Sequence, residues 1–354
     1  MTRVLIVEDS ATMRGHLREA LAPDPQLEVI GEAADGERAV EMTARLRPDV
    51  ITMDMMLPGI SGLAATEQIM AEYPTPILVV SSADRQELFS TYNALAAGAV
   101  DVMEKPRGDD SDVDWSQRLR TALRMVARIR VITHPRARLD RRGEPPRASY
   151  PPAAQRPVDD SLAVVAVGAS TGGPAALTEL LTMLPPNFRT PVLCVQHIAA
   201  SEQFAVAFSD WLAGQTGRNV RYATEGTPVG RAAGQILLAP PDRHLYVQDH
   251  LLRLSSGPPR HSCRPAVDVL FESVAVEFGA AAAGCLLTGM GRDGASGLLQ
   301  MRSRGAITFA QDEASCTVYG MPREAVMLGA AVHVMAPGRI AARLAGLKPA
   351  GVRR

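Results

Sequence analysis

Three acidic residues and a lysine in the first third of the chain have the side chains needed for metal-assisted phosphoryl transfer. Glu8 and Asp9 follow one short apolar run, and Asp54 follows another. Carboxylates that meet at one point repel each other unless a hard divalent cation lies among them, and an all-oxygen ligand set suits Mg²⁺. One carboxylate can then attack a phosphoryl group while a lysine neutralises the charge on its oxygens. Asp54 and Lys105 fit these two roles, although each acid taken alone could be an ordinary solvated residue at a loop end.

A serine, a histidine and an aspartate in the second half have the types that nucleophilic ester hydrolysis requires. Ser170 lies in GASTGG, a G-x-S-x-G pattern between an apolar run and a helix-like segment. That pattern alone is ambiguous, because glycine-rich turns between a strand and a helix also bind phosphates. His197 and Asp293 each follow a further apolar run. A histidine base and a carboxylate that orients it would activate the Ser170 hydroxyl.

Other residues compete for the histidine and aspartate roles. His244 in PPDRHLYV and His261 in PPRHSCRP also lie near proline-rich turns, and Asp268 in an apolar stretch is the main rival to Asp293. The order serine, histidine, aspartate differs from that of the α/β-hydrolases, subtilisins and chymotrypsins, so those folds are poor templates. The residues alone therefore favour His197 and Asp293 but leave the alternatives open.

The elements that must position the first group form an alternating α/β pattern. Short β-branched runs separate amphipathic segments from residue 1 to about 128; these runs are Val4 to Val7, Leu27 to Gly31, Val50 to Met53, Ile77 to Val80 and Val100 to Met103. The pattern predicts a doubly wound, five-stranded parallel sheet. Polar residues at the carboxyl ends of such strands meet at one edge, and here they are Glu8, Asp9, Asp54, Ser81 and Lys105.

The composition then changes twice along the chain. A stretch dense in proline and arginine, assigned to residues 129–160, has no apolar periodicity and predicts a flexible linker. From Leu162 the α/β alternation returns, which predicts a second, mostly parallel α/β domain over residues 161–346. A tail of residues 347–354 completes the chain.

Composition narrows the class of partner and compartment. The 354 residues carry a formal net charge of −1, which gives no strong field for nucleic acid or a membrane surface. The four cysteines are widely spaced and contain no C-x-x-C pair, so neither a disulfide framework nor a zinc site is expected from spacing. No leader-like start or run of 18 apolar residues is present, which predicts a cytoplasmic protein without membrane insertion.

The N-terminal motifs resemble a known regulatory domain. VLIVEDS, DVITMDMMLPGISG, PILVVSS and GAVDVMEKP occur in the order and spacing of response-regulator receiver domains, which have a flavodoxin-like fold. The resemblance implies that Asp54 is the phosphorylated residue and that a histidine kinase is the phosphodonor. It also implies that Glu8, Asp9, Asp54 and the Met56 carbonyl bind Mg²⁺. Ser81 would be the switch hydroxyl, Lys105 would contact the phosphoryl group, and the bond before Pro106 would be cis. Val102 and Leu57 depart from the usual aromatic residue and methionine.

The C-terminal motifs resemble the catalytic domain of the chemotaxis protein-glutamate methylesterases. They are GASTGGP, QHI, PPDRHL, RPAVDVLF, LTGMGRDGASG and AQDEASCTVYGMPREA. The resemblance implies a catalytic triad of Ser170, His197 and Asp293, with the backbone amides of Met290 and Thr171 as oxyanion donors. It implies methylated glutamates of chemoreceptors as substrate, with deamidation of receptor glutamines as a second activity and adaptation in a chemosensory pathway as the outcome.

Two residues depart from the usual pattern of this family, and two alternative functions of the second domain have to be weighed. Cys263 and Ala266 stand where the family usually has histidine and serine, which affects substrate contacts rather than the triad. A second domain that only binds a partner is disfavoured because all three triad residues are present. A nucleotide-binding domain would need an acidic residue about twenty positions after the glycine turn, and LPPNFRTPV lacks one.

Overall fold

The computed structural model describes residues 1–82, 85–106, 112–129, 131, 161–198 and 202–349. These residues belong to two compact units, one built around a five-stranded sheet and the other around a seven-stranded sheet. Apart from residues 129 and 131, the predicted linker lies outside the described residues, as do the last five residues of the predicted tail. Among the helices that the structure describes, none combines the length and the apolar character of a membrane-spanning segment.

The N-terminal elements alternate strictly between strand and helix. They are β1 Thr2–Val7, α1 Ala11–Leu21, β2 Leu27–Ala33, α2 Gly36–Leu46, β3 Val50–Met53, α3 Gly62–Glu72, β4 Ile77–Ser81, α4 Arg85–Ala96, β5 Asp101–Glu104 and α5 Asp112–Val126. The sheet order is β2-β1-β3-β4-β5, and every pairing is parallel. This confirms the doubly wound five-stranded sheet predicted from the apolar runs.

Local sequence explains where the N-terminal helices begin. Ser10, Asp35 and Ser61 each accept a hydrogen bond from a backbone amide three residues later, at the starts of α1, α2 and α3. Such caps satisfy one of the amides that the first turn of a helix leaves without a partner. The central strands β1 and β3 are buried because helices cover both faces of a parallel sheet.

The elements from residue 161 onward form a longer α/β series. They are β6 Ser161–Leu162, β7 Val164–Ala169, α6 Gly173–Met183, β8 Val192–Gln196, α7 Glu202–Thr216, β9 Asn219–Tyr222, β10 Gln235–Leu238, β11 His244–Gln248, β12 Leu251–Ser255, α8 Val267–Phe278, β13 Ala282–Leu286, α9 Ala295–Ser303, β14 Ile307–Ala310, α10 Met321–Met327, β15 His333–Val334, α11 Pro337–Ala345 and β16 Lys348–Pro349. Short 3₁₀ turns occupy Val229–Ala232 and Gly279–Ala281.

The larger sheet is parallel throughout, in the order β15-β14-β13-β7-β8-β10-β9. The hairpin β11-β12 is antiparallel, and β6 pairs with β16, so the predicted mostly parallel α/β domain is confirmed. The chain runs from β7 outward to β8 and later returns to place β13 on the other side of β7. A crevice at the carboxyl ends of strands where the order reverses is the usual site in such folds. The carboxyl ends of β7, β8 and β13 therefore position the candidate site.

Candidate functional site

A tight turn between β7 and α6 holds Ser170. The Ser170 amide donates to the carbonyl of Thr288 at 3.0 Å, and the Gly173 amide donates to the carbonyl of Ser170 at 2.7 Å. Gly172 has φ 78°, a left-handed conformation that a side chain rarely adopts, and an added Cβ would lie 2.4 Å from Thr317 Oγ1. Because α6 begins at Gly173, its positive end faces the turn and favours negative charge there.

His197 follows β8 and is tied to the same turn. Its backbone amide donates to the Ala169 carbonyl at 2.9 Å. The side-chain amide of Gln196 donates to the carbonyl oxygens of both Ser170 and His197, each at 2.9 Å. The end of β8 therefore holds the histidine and the serine in one hydrogen-bonded arrangement.

Asp293 is the buried carboxylate beside His197. Its Oδ2 lies 3.0 Å from His197 Nε2, and the residue is 2% exposed. The amides of Val267 and Asp268, at the start of α8, donate to its two oxygens at 2.7 and 3.0 Å. Burial alone would raise the pKa of Asp293, but the hydrogen bonds from His197 and these amides outweigh burial and hold the pKa below its usual value. Asp293 is therefore a charged acceptor that fixes the orientation of the imidazole.

The competing residues pair elsewhere. His261 Nε2 lies 3.0 Å from Asp268 Oδ2, and Asp268 also accepts the Gly297 amide at 2.6 Å. His244 is buried, where its ring accepts the Ala266 amide through Nδ1 and donates from Nε2 to the Pro258 carbonyl. The ring of His244 thus joins two backbone segments. The structure pairs His197 with Asp293 and His261 with Asp268.

The second ring nitrogen of His197 faces a cysteine. Cys263 Sγ lies 3.9 Å from His197 Nδ1, and 14% of the histidine side chain is exposed. Burial would lower the pKa of His197, but the contacts with Asp293 and Cys263 outweigh it and raise the pKa to about 9. These contacts favour the charged imidazolium, so the neutral imidazole that can accept a proton becomes more populated as the pH rises toward this value.

The backbone amides of Thr171 and Met290 belong to two loops beside Ser170. The Thr288 hydroxyl donates to the Thr171 carbonyl and accepts the Val318 amide, both at 2.9 Å, which orders the loops on either side. Within the described residues, neither the Thr171 amide nor the Met290 amide has an acceptor. Amides that are ordered by their surroundings and lack an acceptor are suited to hold an oxyanion.

A second cluster of polar side chains lies at the carboxyl ends of the strands in the N-terminal sheet. The side chains of Glu8, Asp9 and Asp54 each place an oxygen within 4.8 Å of the others, and Glu8 and Asp54 are each 1% exposed. Lys105 Nζ lies 3.0 Å from Glu8 Oε2 and 2.9 Å from Asp54 Oδ1. All four residues were predicted from their positions after strands to meet at this edge.

The electrostatics of this acidic group fit a hard cation. Burial and the nearby Asp54 charge raise the pKa of Glu8 to about 7, and burial raises the pKa of Asp54. The positive charge of Lys105 lowers both pKa values but does not cancel the effect of burial. Buried carboxylate oxygens that are hard to ionise together are the donor set that Mg²⁺ stabilises.

Two further residues of the predicted phosphorylation site are Ser81, at the end of β4, and Met56, in the loop after β3. Ser81 ends β4, where its Oγ accepts the Thr91 hydroxyl at 2.8 Å and its carbonyl accepts the Lys105 amide at 2.8 Å. The Met56 amide lies 3.4 Å from Asp54 Oδ1. The prediction of a cis bond before Pro106 is wrong: among the described residues, the cis bond is Arg264–Pro265.

Comparison with known proteins matches both parts of the chain. The family model described as CheB methylesterase matches residues 165–344, and that described as response regulator receiver domain matches residues 4–113. A protein-glutamate methylesterase/protein-glutamine glutaminase of Anaeromyxobacter dehalogenans (strain 2CP-C) is 45% identical over 98% of this chain and 98% of its own length. The chain belongs to the CheB methylesterase family.

A second relative is similar over nearly the whole chain, and two solved structures are each similar to one part of it. A protein-glutamate methylesterase/protein-glutamine glutaminase of Geobacter metallireducens is 43% identical over 98% of this chain and 99% of its own length. The crystal structure of the Thermotoga maritima CheB methylesterase catalytic domain is 31% identical, covering 52% of this chain and 98% of that domain with a TM-score of 0.49. The response regulator domain of the same CheB is 37% identical, covering 37% of this chain and 98% of that domain, with a TM-score of 0.34.

Two contributors to this CheB-type site were missed in the sequence. Gln196 was noted only as part of QHI, although its amide binds the backbone of both Ser170 and His197. Cys263 was noted only as a departure from the family pattern, although its sulfur faces the histidine ring. A polar side chain at the end of a buried strand, directly before a candidate base, was the signal available for Gln196.

Gly289→Ala is expected to reduce turnover of this CheB-type enzyme by about 100-fold, because small displacements of reacting groups carry costs of this size. An added Cβ would lie 2.7 Å from Ser170 Cβ and 2.4 Å from Met321 Sδ, so the serine or its support must move. Steady-state kinetics measures the loss. Gly230→Ala is the matched control, since nothing lies within 4 Å of its added Cβ. Equal activity in the two variants would show that Ser170 has room to adjust.

Proposed function

We propose that this chain is a phosphorylation-regulated hydrolase that removes methyl groups from glutamate methyl esters of chemoreceptors and releases methanol. The names of its curated relatives give this activity to those proteins. The observation that carries the proposal is the His197–Asp293 pair, 3.0 Å apart, beside the serine turn at the carboxyl edge of a parallel sheet. A histidine base oriented by a carboxylate is a combination that activates serine nucleophiles in many hydrolases.

The proposed reaction follows from the position of each group. Ser170 attacks the ester carbonyl while neutral His197 takes its proton, and Asp293 stabilises the imidazolium that forms. Because Nε2 of His197 lies against Asp293, Nδ1 is the nitrogen left for proton transfer. The amides of Met290 and Thr171 hold the oxyanion, and the His197 imidazolium gives its proton to the leaving oxygen, so that methanol departs. Water, deprotonated by the same His197, then attacks the acyl-enzyme and releases the glutamate carboxylate and Ser170.

The same chemistry supports a second activity. The amide carbonyl of a glutamine side chain lies at the same position along the side chain as the ester carbonyl of a glutamate methyl ester. Ammonia takes the place of methanol as the leaving group. We therefore include deamidation of receptor glutamines in the proposal, in keeping with the glutaminase part of the relatives' names. Ammonia release from a receptor fragment measures it directly.

The proposed regulatory site is the acidic group of the receiver domain. Asp54 accepts the phosphoryl group from a histidine kinase of the pathway, Lys105 contacts that group, and Ser81 is the switch hydroxyl. Mg²⁺, held by Glu8, Asp9, Asp54 and the Met56 carbonyl, would neutralise negative charge during transfer. The raised pKa values of Glu8 and Asp54 support this assignment, because burial disfavours the charged forms of the two carboxylates and a bound cation would offset that effect.

The proposed domain organisation assigns a location to each activity. Residues 1–128 form the receiver, 129–160 the linker, 161–346 the catalytic domain and 347–354 the tail. The matched ranges 4–113 and 165–344 support these limits. We place the protein in the cytoplasm, where the proposed kinase and the receptor helices that carry the methyl esters are found.

Asp54→Asn is expected to remove stimulation of the esterase by a small phosphodonor, because the asparagine amide is not a nucleophile toward phosphoryl groups. Methanol release from methylated receptor membranes is measured for wild type and variant, with and without the phosphodonor and Mg²⁺. Asp49→Asn, an acidic residue outside this cluster, is the matched control. Stimulation that persists in Asp54→Asn would assign the phosphorylation site to another residue. Absence of methanol release from any receptor, with Asp54 phosphorylation confirmed, would contradict the proposed activity.

A further inference from the structure

A sulfur, a nitrogen and a carboxylate oxygen lie together at the catalytic edge of the second sheet. Cys263, His197 and Asp293 each place one potential ligand atom within 4.8 Å of the others. The proposed hydrolysis uses His197 and Asp293, whereas it assigns no role to Cys263. The cysteine is partly exposed, and so is the histidine beside it, which lets an ion reach both groups from solvent.

We infer that Cys263 and His197 bind one divalent cation of the Zn²⁺ class, with Asp293 orienting the imidazole, and that the bound cation inhibits the esterase. The binding stands on geometry alone, whereas the inhibition rests on the proposed function. A thiolate and an imidazole are the ligands that Zn²⁺ prefers in proteins.

The distances agree with this ligand pair. With Zn–S near 2.3 Å and Zn–N near 2.0 Å, a tetrahedral angle separates the two ligand atoms by about 3.5 Å. Cys263 Sγ and His197 Nδ1 are 3.9 Å apart, so a shift of a few tenths of an ångström, about the size of thermal displacement, brings them into range. Water or a substrate group would complete the coordination.

Asp293 supplies the outer contact that metal-binding histidines commonly have. A histidine that binds a metal through one ring nitrogen usually donates the other N–H to a carboxylate, which fixes the ring. His197 Nε2 lies 3.0 Å from Asp293 Oδ2, while Nδ1 faces the sulfur. The contact that orients the catalytic base thus also orients a metal ligand.

A neighbouring group of similar composition is a poorer cation site. His261, Asp268 and Asp293 also place potential ligand atoms within 4.8 Å of one another. However, Arg292 Nε lies 3.4 Å from His261 Nδ1, and Arg260 lies 3.8 Å from Asp268 Oδ2. Both cationic side chains repel an incoming metal ion, and this group lacks sulfur. The cation is therefore expected to bind at Cys263 and His197 rather than at His261 and Asp268.

Occupation of Nδ1 removes the proton acceptor of the proposed reaction. A lone pair that is donated to a metal cannot take the Ser170 proton, so the hydroxyl loses its base. Nothing in this step requires a change of fold. The expected result is inhibition that a chelator reverses.

Titration of the full-length protein with Co²⁺ tests the binding. Excess Mg²⁺ is present throughout to fill the all-oxygen group around Asp54. One equivalent of Co²⁺ is expected to produce the near-ultraviolet absorption of a thiolate–metal bond, and Zn²⁺ is expected to displace it. Cys263→Ser should abolish the band, whereas the matched variant Cys316→Ser should keep it, because Cys316 is only 7% exposed. His197→Ala should weaken Co²⁺ binding by at least about tenfold.

A second measurement uses the wild type only. Zn²⁺ is expected to protect Cys263 from alkylation by iodoacetamide, as read by mass spectrometry of the peptide that contains it. Absence of both the band and the protection would overturn the inference, as would a band that persists in Cys263→Ser. Metal binding without methanol release in metal-free protein would count against the proposed function alone. Methanol release without metal binding would count against this inference alone.

Discussion

Ser170→Ala is expected to lower methanol release by a factor on the order of 10⁵ to 10⁶, because serine hydrolases lose about this much of kcat without their nucleophile. The methyl side chain of alanine removes the attacking oxygen and leaves the turn, which is held by backbone hydrogen bonds to Thr288 and Gly173, unchanged. Turnover of methylated receptor membranes is measured at saturating substrate. Thermal unfolding of the variant should match that of the wild type.

Ser296→Ala is the matched control for this substitution. Ser296 is an exposed residue of α9, so its loss should leave the rate unchanged. A fluorophosphonate that acylates activated serines should label the wild type and Ser296→Ala but not Ser170→Ala. Labelling of Ser170→Ala, or retention of its activity, would place the nucleophile elsewhere in the chain.

Asp293→Asn is expected to lower kcat by a factor on the order of 10⁴, because an amide holds the wrong tautomer of the base and cannot stabilise the imidazolium. His261→Ala, which disrupts the parallel pair with Asp268, is the matched comparison and should cost less than about tenfold. Both rates are measured with the same receptor membranes. The contrast tests which of the two histidine–aspartate pairs carries the reaction.

The Asp293 side chain also has a structural effect that a separate measurement resolves. Asp293→Ala leaves the amides of Val267 and Asp268 without their acceptor, and each unpaired buried amide costs about 1 to 3 kcal/mol of unfolding free energy. Denaturant unfolding should therefore show Asp293→Ala to be less stable than Asp293→Asn, which keeps an acceptor oxygen. A larger loss of kcat in His261→Ala than in Asp293→Asn would show that the His261–Asp268 pair, and not the His197–Asp293 pair, carries the reaction.

The sequence alone was sufficient for the fold class and for the prediction that particular polar residues meet at the sheet edges. Apolar runs of strand length alternating with amphipathic segments depend only on local periodicity, so the parallel sheets could be predicted from them. Polar residues directly after those runs were expected at one sheet edge. Glu8, Asp54 and Lys105 meet there in the first sheet, and the residues after β7, β8 and β13 are brought together in the second.

Only the tertiary structure decided which partners those side chains have. His197 and Asp293 are 96 positions apart, and their contact depends on the strand order that sets β13 and β8 on either side of β7. The same packing sets Asp268 against His261 and turns Cys263 toward Nδ1 of His197. These contacts arise from the packing of α8 and the preceding loop, which local periodicity does not specify. The sequence by itself determined which chemical groups reach the sheet edge, while the packing of distant segments determined how they pair.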